Sequence, residues 1–139
     1  MTTPVPALPA PSPVVTPETE EFWAATAEGR LLLRRCDDCG TVIWYPRAHC
    51  PGCGSQRTSW SDASGNGTVY AFTVVHRSVV DGFREAVPYV VAYVELEEGP
   101  RVMTNIVDCD PGSVEVGMPV TVVFHDTGKG NALFRFRPA

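Results

Sequence analysis

Two Cys-x-x-Cys pairs, Cys36 with Cys39 and Cys50 with Cys53, constrain this chain more than any other feature of its sequence. Each pair forms a tight knuckle that points two thiolates inward, and two knuckles joined by a short hairpin give the tetrahedral S4 cage that Zn(II) favours. The ten residues between the pairs suffice for a ribbon hairpin, with Gly40, Pro51, Gly52 and Gly54 supplying the turns. Structural zinc, a redox dithiol and paired disulfides compete for these cysteines. Zinc is preferred, as one structural ion per chain: a single metal accounts for both pairs, and four thiolates leave none of the open coordination that catalytic zinc keeps. The N-terminus lacks the basic start and apolar run of a signal peptide, so an oxidising compartment is not indicated and a cytoplasmic location is expected. Cys109 has no cysteine nearby in sequence and reads as an inert small side chain near a strand end.

At 139 residues and 44% hydrophobic the chain can build one modest core, with the zinc knot compensating for a thin ordered mass. No apolar run approaches membrane-spanning length. Residues 1–15 are rich in proline and small side chains, a composition that cannot pack; they are expected to form a disordered tail or linker. Residues 16–30 read as a helix, with Thr16 as N-cap, Pro17 first, acids at Glu18, Glu20 and Glu21, and Gly29 closing it. Its contact face is Phe22, Trp23 and Thr26. That face suits packing on the chain's own ribbon or barrel, and equally docking on another subunit. Residues 31–57 form the zinc ribbon and residues 58–139 the strand-rich unit.

In that last unit five β-branched or aromatic runs alternate with marked turns: Gly67 to His76, Tyr89 to Leu96, Arg101 to Val107, Val120 to His125 and Ala132 to Arg137. Five strands with one long connection, residues 77–88, fit an OB-type barrel. The fold class is therefore mainly β: a short N-terminal helix, a zinc ribbon and a five-stranded OB-fold barrel. The first two strands are apolar on both faces, so they are covered outside as well as inside or expose a binding face.

Several pieces in order carry a family resemblance: the helix ending near Gly29, the two knuckles, Pro46-Arg47 between them, Trp60, Ser64 to Tyr70, Pro88 to Ala92, Val94 to Gly99 and Val116 to Val120. Over about residues 17–139 the chain resembles the rubredoxin-like zinc ribbon plus OB-fold proteins known as domain of unknown function thirty-five. The resemblance implies a non-catalytic, acyl-CoA-associated accessory subunit in a hetero-oligomer. Its partner would be a thiolase-superfamily enzyme, including aldolases of steroid side-chain breakdown, or a hotdog-fold enoyl-CoA hydratase, so a role in lipid metabolism follows. Arg47, Phe72 and Tyr89 are the candidate acyl-CoA contacts, Arg47 for a phosphate and the two rings for the pantetheine and acyl chain.

The remaining chemistry is sparse. Arg30, Arg34, Arg35, Arg47 and Arg57 face only Asp37 and Asp38 across the ribbon segment, which makes it locally basic; guanidinium groups there fit phosphates, or act as solvated or paired charges. His49 beside Cys50 is expected to face solvent or support the metal ligands. His76 and His125 end strands, where Asp81, Glu85 or Asp126 would have to approach for acid–base work. Ser78 lacks the glycines of a nucleophile elbow. Zinc ribbons and OB folds also serve nucleic-acid binding, and Tyr70, Phe72, Tyr89 and Tyr93 offer a stacking platform for it. Charge argues against that alternative: the net charge is −5, and from Thr58 onward ten acids face six bases.

Overall fold

The computed structural model describes residues 8–139. Residues 1–7 of the expected tail lie outside the described residues. Residues 8–15 have no helix or strand, yet Leu8 and Pro9 are tied to the barrel through their carbonyls, both of which accept from Arg135.

Helix α1 spans Glu20–Thr26 and begins later than the acids suggested. The cause is a turn at Thr16 to Thr19, in which Thr19 N–H donates to the Thr16 carbonyl (3.0 Å) while the Thr19 hydroxyl accepts from Thr16 N–H (3.0 Å). Thr19 is thereby occupied upstream and makes no side-chain cap, and Pro17 falls in the turn rather than at the first helical position. Gly29 closes the helix as expected. It adopts φ +74°, and Arg30 N–H reaches back to the Ala25 carbonyl (3.0 Å), the six-to-one bond of a Schellman end.

Phe22 and Trp23 are buried inside the chain itself, 0% and 6% exposed. Phe22 meets the rings of Trp44, Tyr45 and Phe134 edge-on at 5.5–5.9 Å, and Trp23 Nε1–H donates to the Tyr45 hydroxyl (2.9 Å). This decides between the two roles open for the helix face: its aromatics hold the ribbon on the barrel and are not available to another subunit. Seven residues make a helix only with such a partner surface.

The ribbon is a three-stranded sheet, β1 (Leu32–Cys36), β2 (Val42–Ile43) and β3 (Thr58–Asp62), in the order β2-β1-β3. β3 pairs along its whole length with β1, from Leu32 opposite Asp62 to Cys36 opposite Thr58. The ribbon sheet thus runs to Asp62, past the boundary drawn at residue 57. Ala63 N–H then donates to the Leu31 carbonyl (2.8 Å), and only a short bend at Gly65 separates the ribbon from the barrel.

The barrel strands are β4 (Asn66–Val75), β5 (Tyr89–Leu96), β6 (Arg101–Ile106), β7 (Pro119–Asp126) and β8 (Ala132–Pro138). They close in the order β4-β5-β6-β8-β7, with β7 returning to β4. Every expected strand is present, with ends shifted by a residue or so. Val69, Val90, Val94, Val102, Val120 and Phe136 fill the interior and are continuous with Leu31, Leu32 and Leu33 of the ribbon and with Phe22 and Trp23. Ribbon and barrel therefore share one core.

A bulge between Val69 and Ala71 explains why β4 reads as apolar on both faces. Val69 and, beyond the bulge, Phe72 and Val74 pack with the core, while Tyr70, Ala71 and Thr73 turn outward. One extra residue swaps the faces mid-strand.

Gly67 marks the tightest approach in the barrel. A Cβ there would lie 2.5 Å from the Glu95 carbonyl oxygen and 2.8 Å from a Val94 methyl. Gly67→Ala is expected to destabilise the fold by about 1–3 kcal/mol, the range of overpacked cores, as a lower denaturant midpoint with an unchanged m-value.

Candidate metal centre

The two knuckles are built alike. Cys36 ends β1, and Cys50 follows the hairpin. Gly40 N–H donates to the Cys36 carbonyl (3.0 Å) as Gly54 N–H does to the Cys50 carbonyl (2.8 Å), and both glycines sit in the left-handed region at φ +77° and +76°. Cys36 N–H reaches the Thr41 carbonyl (2.9 Å) as Cys50 N–H reaches that of Ser55 (2.8 Å). Backbone amides also donate to the first sulfur of each pair, Cys39 N–H to Cys36 Sγ (3.4 Å) and Gly52 N–H to Cys50 Sγ (3.3 Å). Such donors stabilise thiolates.

All four sulfurs lie within 4.8 Å of one another, with Cys36–Cys53 at 3.6 Å and Cys39–Cys50 at 3.5 Å. Tetrahedral zinc with Zn–S near 2.3 Å needs sulfurs about 3.8 Å apart, so the donor set fits this ion. The four thiols are free of disulfides, Cys36 and Cys50 buried, Cys39 and Cys53 at the surface. Thr41, through its hydroxyl and backbone, holds the Cys39 thiol down to about 6. The backbone at Ser55 also lowers Cys53, but the crowd of neighbouring sulfurs outweighs it and drives that thiol up to about 12. A bound metal would resolve this conflict by replacing the protons of all four. A metal held here would be structural, since four thiolates leave no coordination position for substrate.

Two acids that the sequence showed only as charges support the cage. Asp37 accepts from the Ser59 hydroxyl (2.7 Å), and its N–H donates to the Arg57 carbonyl (2.8 Å). Asp38 accepts from the Ser55 hydroxyl and pairs with Arg57 (3.6 Å). Together they stitch the first knuckle to the chain leaving the second. Their signal was a hydroxyl-rich stretch after Cys53, legible only once the register of β3 was known. Glu18 adds a tether, accepting from Ala48 N–H in the hairpin (2.6 Å).

Most of the basic segment is already engaged. Arg30 pairs with Asp62 (2.9 Å) and Glu28 (3.3 Å); Arg34 donates to the Thr58 hydroxyl (2.8 Å) and stacks 4.5 Å above Trp60. Among the described residues Arg35 and Arg47 make no ion pair, and Arg47 is exposed beside the buried Pro46. Phe72 packs half-buried against the core, and Tyr89 opens β5 with its ring 5.5 Å from Phe83. No hydrogen bond or ring contact joins Arg47, Phe72 and Tyr89. A cleft of about 310 Å³ under Glu21, Glu28, Arg30, Trp60 and Asp62, and one of about 460 Å³ beside Gly67, Glu95, Glu97 and Pro119, include none of the three.

The expected stacking platform divides at the β4 bulge. Tyr70 and Tyr93 are about half exposed on the outer face, Tyr93 opposite Met103, which is 60% exposed, and Arg101 lies 3.8 Å above Tyr70 while paired with Glu95 (2.9 Å). Phe72 faces the other way. His49 and His76 are exposed. His125 approaches Arg135 (2.8 Å) rather than a carboxylate, and its pKa is lowered, chiefly by burial and then by that guanidinium. The Ser78 hydroxyl accepts from Val80 N–H (3.2 Å). No histidine–carboxylate or serine–histidine pair forms among the described residues, and no helix among them is long and apolar enough to cross a membrane.

This geometry has close counterparts. Residues 23–59 match a family described as ChsH2, rubredoxin-like zinc ribbon domain, and residues 60–125 one described as ChsH2, C-terminal OB-fold domain. The chain is 37% identical over 129 residues to the probable enoyl-CoA hydratase alpha subunit of Thermomonospora curvata, covering 93% of this chain but only 40% of that protein. It is 41% identical over 125 residues to a DUF35 domain-containing scaffold protein of Methanocaldococcus jannaschii, covering 84% and 87% of the two chains. Among solved structures, the Ltp2-ChsH2(DUF35) aldolase aligns with a TM-score of 0.82 at 36% identity, over 91% of this chain and 98% of that one.

Proposed function

Given that the chain belongs to the DUF35 family, with the zinc ribbon and OB fold of ChsH2, we propose that it is a non-catalytic accessory subunit. In this reading it docks on a thiolase-like enzyme, a thiolase or steroid side-chain aldolase, or on a hotdog-fold enoyl-CoA hydratase, and helps hold the acyl-CoA while chemistry proceeds on the partner's residues. The observation that carries it is the near-complete overlap with a chain of the Ltp2-ChsH2(DUF35) aldolase at 36% identity. Two features of the surface support it. Nucleophile–base pairs are absent among the described residues, whereas Tyr70, Tyr93, Met103 and the charge-compensated Arg101 give the outer barrel face the Tyr, Met and Arg composition of protein interfaces.

Co-purification from the native cells should recover an acyl-CoA enzyme, and that enzyme's turnover should depend on adding this chain. Robust acyl-CoA turnover by the isolated chain would refute the reading. Arg47, Phe72 and Tyr89 are proposed to meet the acyl-CoA. If Arg47 holds a phosphate, Arg47→Ala raises the partner's apparent KM about tenfold or more, the loss of one charge-assisted bond, and leaves assembly intact. Weakened assembly with KM unchanged would instead make Arg47 an interface residue.

A further inference from the structure

Arg135 is an arginine of β8 with almost no exposure (2%), on the outer wall of the barrel rather than in its core. Buried charges are normally paired with opposite charge. Here, among the described residues, the partners are neutral. One terminal nitrogen donates to the Leu8 carbonyl (3.2 Å) and contacts His125 Nδ1 (2.8 Å), the other terminal nitrogen donates to the Pro9 carbonyl, and Nε is buried with no partner. Asp108 is the acid that acts on His125, and burial alone acts on Arg135.

The arrangement of acceptors is informative. Carbonyl oxygens of consecutive residues sit on the two terminal nitrogens of one guanidinium, where the two oxygens of a bound carboxylate or phosphate group sit in a bidentate pair. Both bonds already have an ionised donor; what two peptide carbonyls do not supply, and an oxyanion on the same fork would, is the opposite charge that a buried guanidinium normally pairs with. The covering segment has no helix or strand; it is held by the two bonds from Arg135 and by a close contact of Pro9 with Gly82, where a Cβ would lie 3.1 Å from the proline ring. We infer that Arg135 and His125 form an oxyanion-binding site for a carboxylate or phosphate group, occupied in this structure by the carbonyls of Leu8 and Pro9 acting as a displaceable strap.

The inference stands apart from the accessory role, because it concerns a different face and requires no partner. Its test is a nitrogen-15 NMR titration of the zinc-loaded full chain with sodium phosphate and, separately, sodium acetate, at ionic strength held constant with chloride. The expected result is saturable movement of the Arg135 Nε–Hε resonance together with the amides of Ala10 and Gly82, which report the strap leaving. Saturation by phosphate at lower concentration identifies a phosphoryl ligand, and the reverse order a carboxylate. Arg135→Lys keeps a charge but loses the fork, and should weaken the response at least tenfold; if that variant fails to fold, the native titration decides alone. Movement no greater than in chloride, or movement of Arg135 without Ala10 and Gly82, overturns the inference.

Discussion

Metal analysis of the chain purified without chelator is expected to find one zinc per chain, and Cys50→Ser to remove it together with the ordered ribbon. The expected effect is large because the site does not preexist in the unfolded chain, so metal binding, on the order of 10 kcal/mol or more, is also folding free energy. The cluster cannot be held by apolar packing instead. Its own buried group consists of Cys36, Ile43 and Cys50, separate from the main core. Loss of metal should therefore melt the knuckles first, while barrel signals persist in the NMR spectrum of the variant. A zinc content near zero with the four thiols found in disulfides would show that the sulfurs serve a different purpose.

Truncation of the helix aromatic should follow in size. Phe22 is fully buried and touches the rings of Trp23, Trp44, Tyr45 and Phe134, so Phe22→Ala leaves a void at the junction of helix, ribbon hairpin and β8. A loss of about 3–5 kcal/mol is expected, read as a drop in the denaturation midpoint of the isolated chain. Were Phe22 a docking anchor, its truncation would weaken association and leave the stability of the isolated chain alone. A stability change below about 1 kcal/mol would contradict the packing described above.

The cysteine cage was legible in the sequence because its chemistry is local: knuckle geometry is set by spacing within each pair and by the glycine after it. Barrel strands were legible for a related reason, since Glu98-Gly99-Pro100 or Thr127 to Asn131 can only be turns between β-branched runs. What escaped depends on partners distant in sequence. Thr58–Asp62 is short and mostly polar, and becomes a strand because β1 offers it a full register. The β4 bulge is invisible where both faces are apolar, so Phe72 and Tyr70 could not be assigned to opposite faces. Arg135 alternates with Phe134 and Phe136 along β8, and nothing local marks it as buried: its cover comes from Leu8 and Pro9, more than a hundred positions away.

Barrel closure also bears on how such a chain diversifies. The barrel closes through short contacts, β7 on β4 over Asn66–Thr68 and β8 on β6 at Ile106, so β4 and β6 each keep a stretch of edge with no strand partner among the described residues. In the proposed accessory role, recognition would rest on outward side chains such as those at positions 70, 93, 101 and 103. Those positions carry little of the core, so descendants of one ancestral scaffold are free to exchange associates by surface substitution while the fold is inherited unchanged.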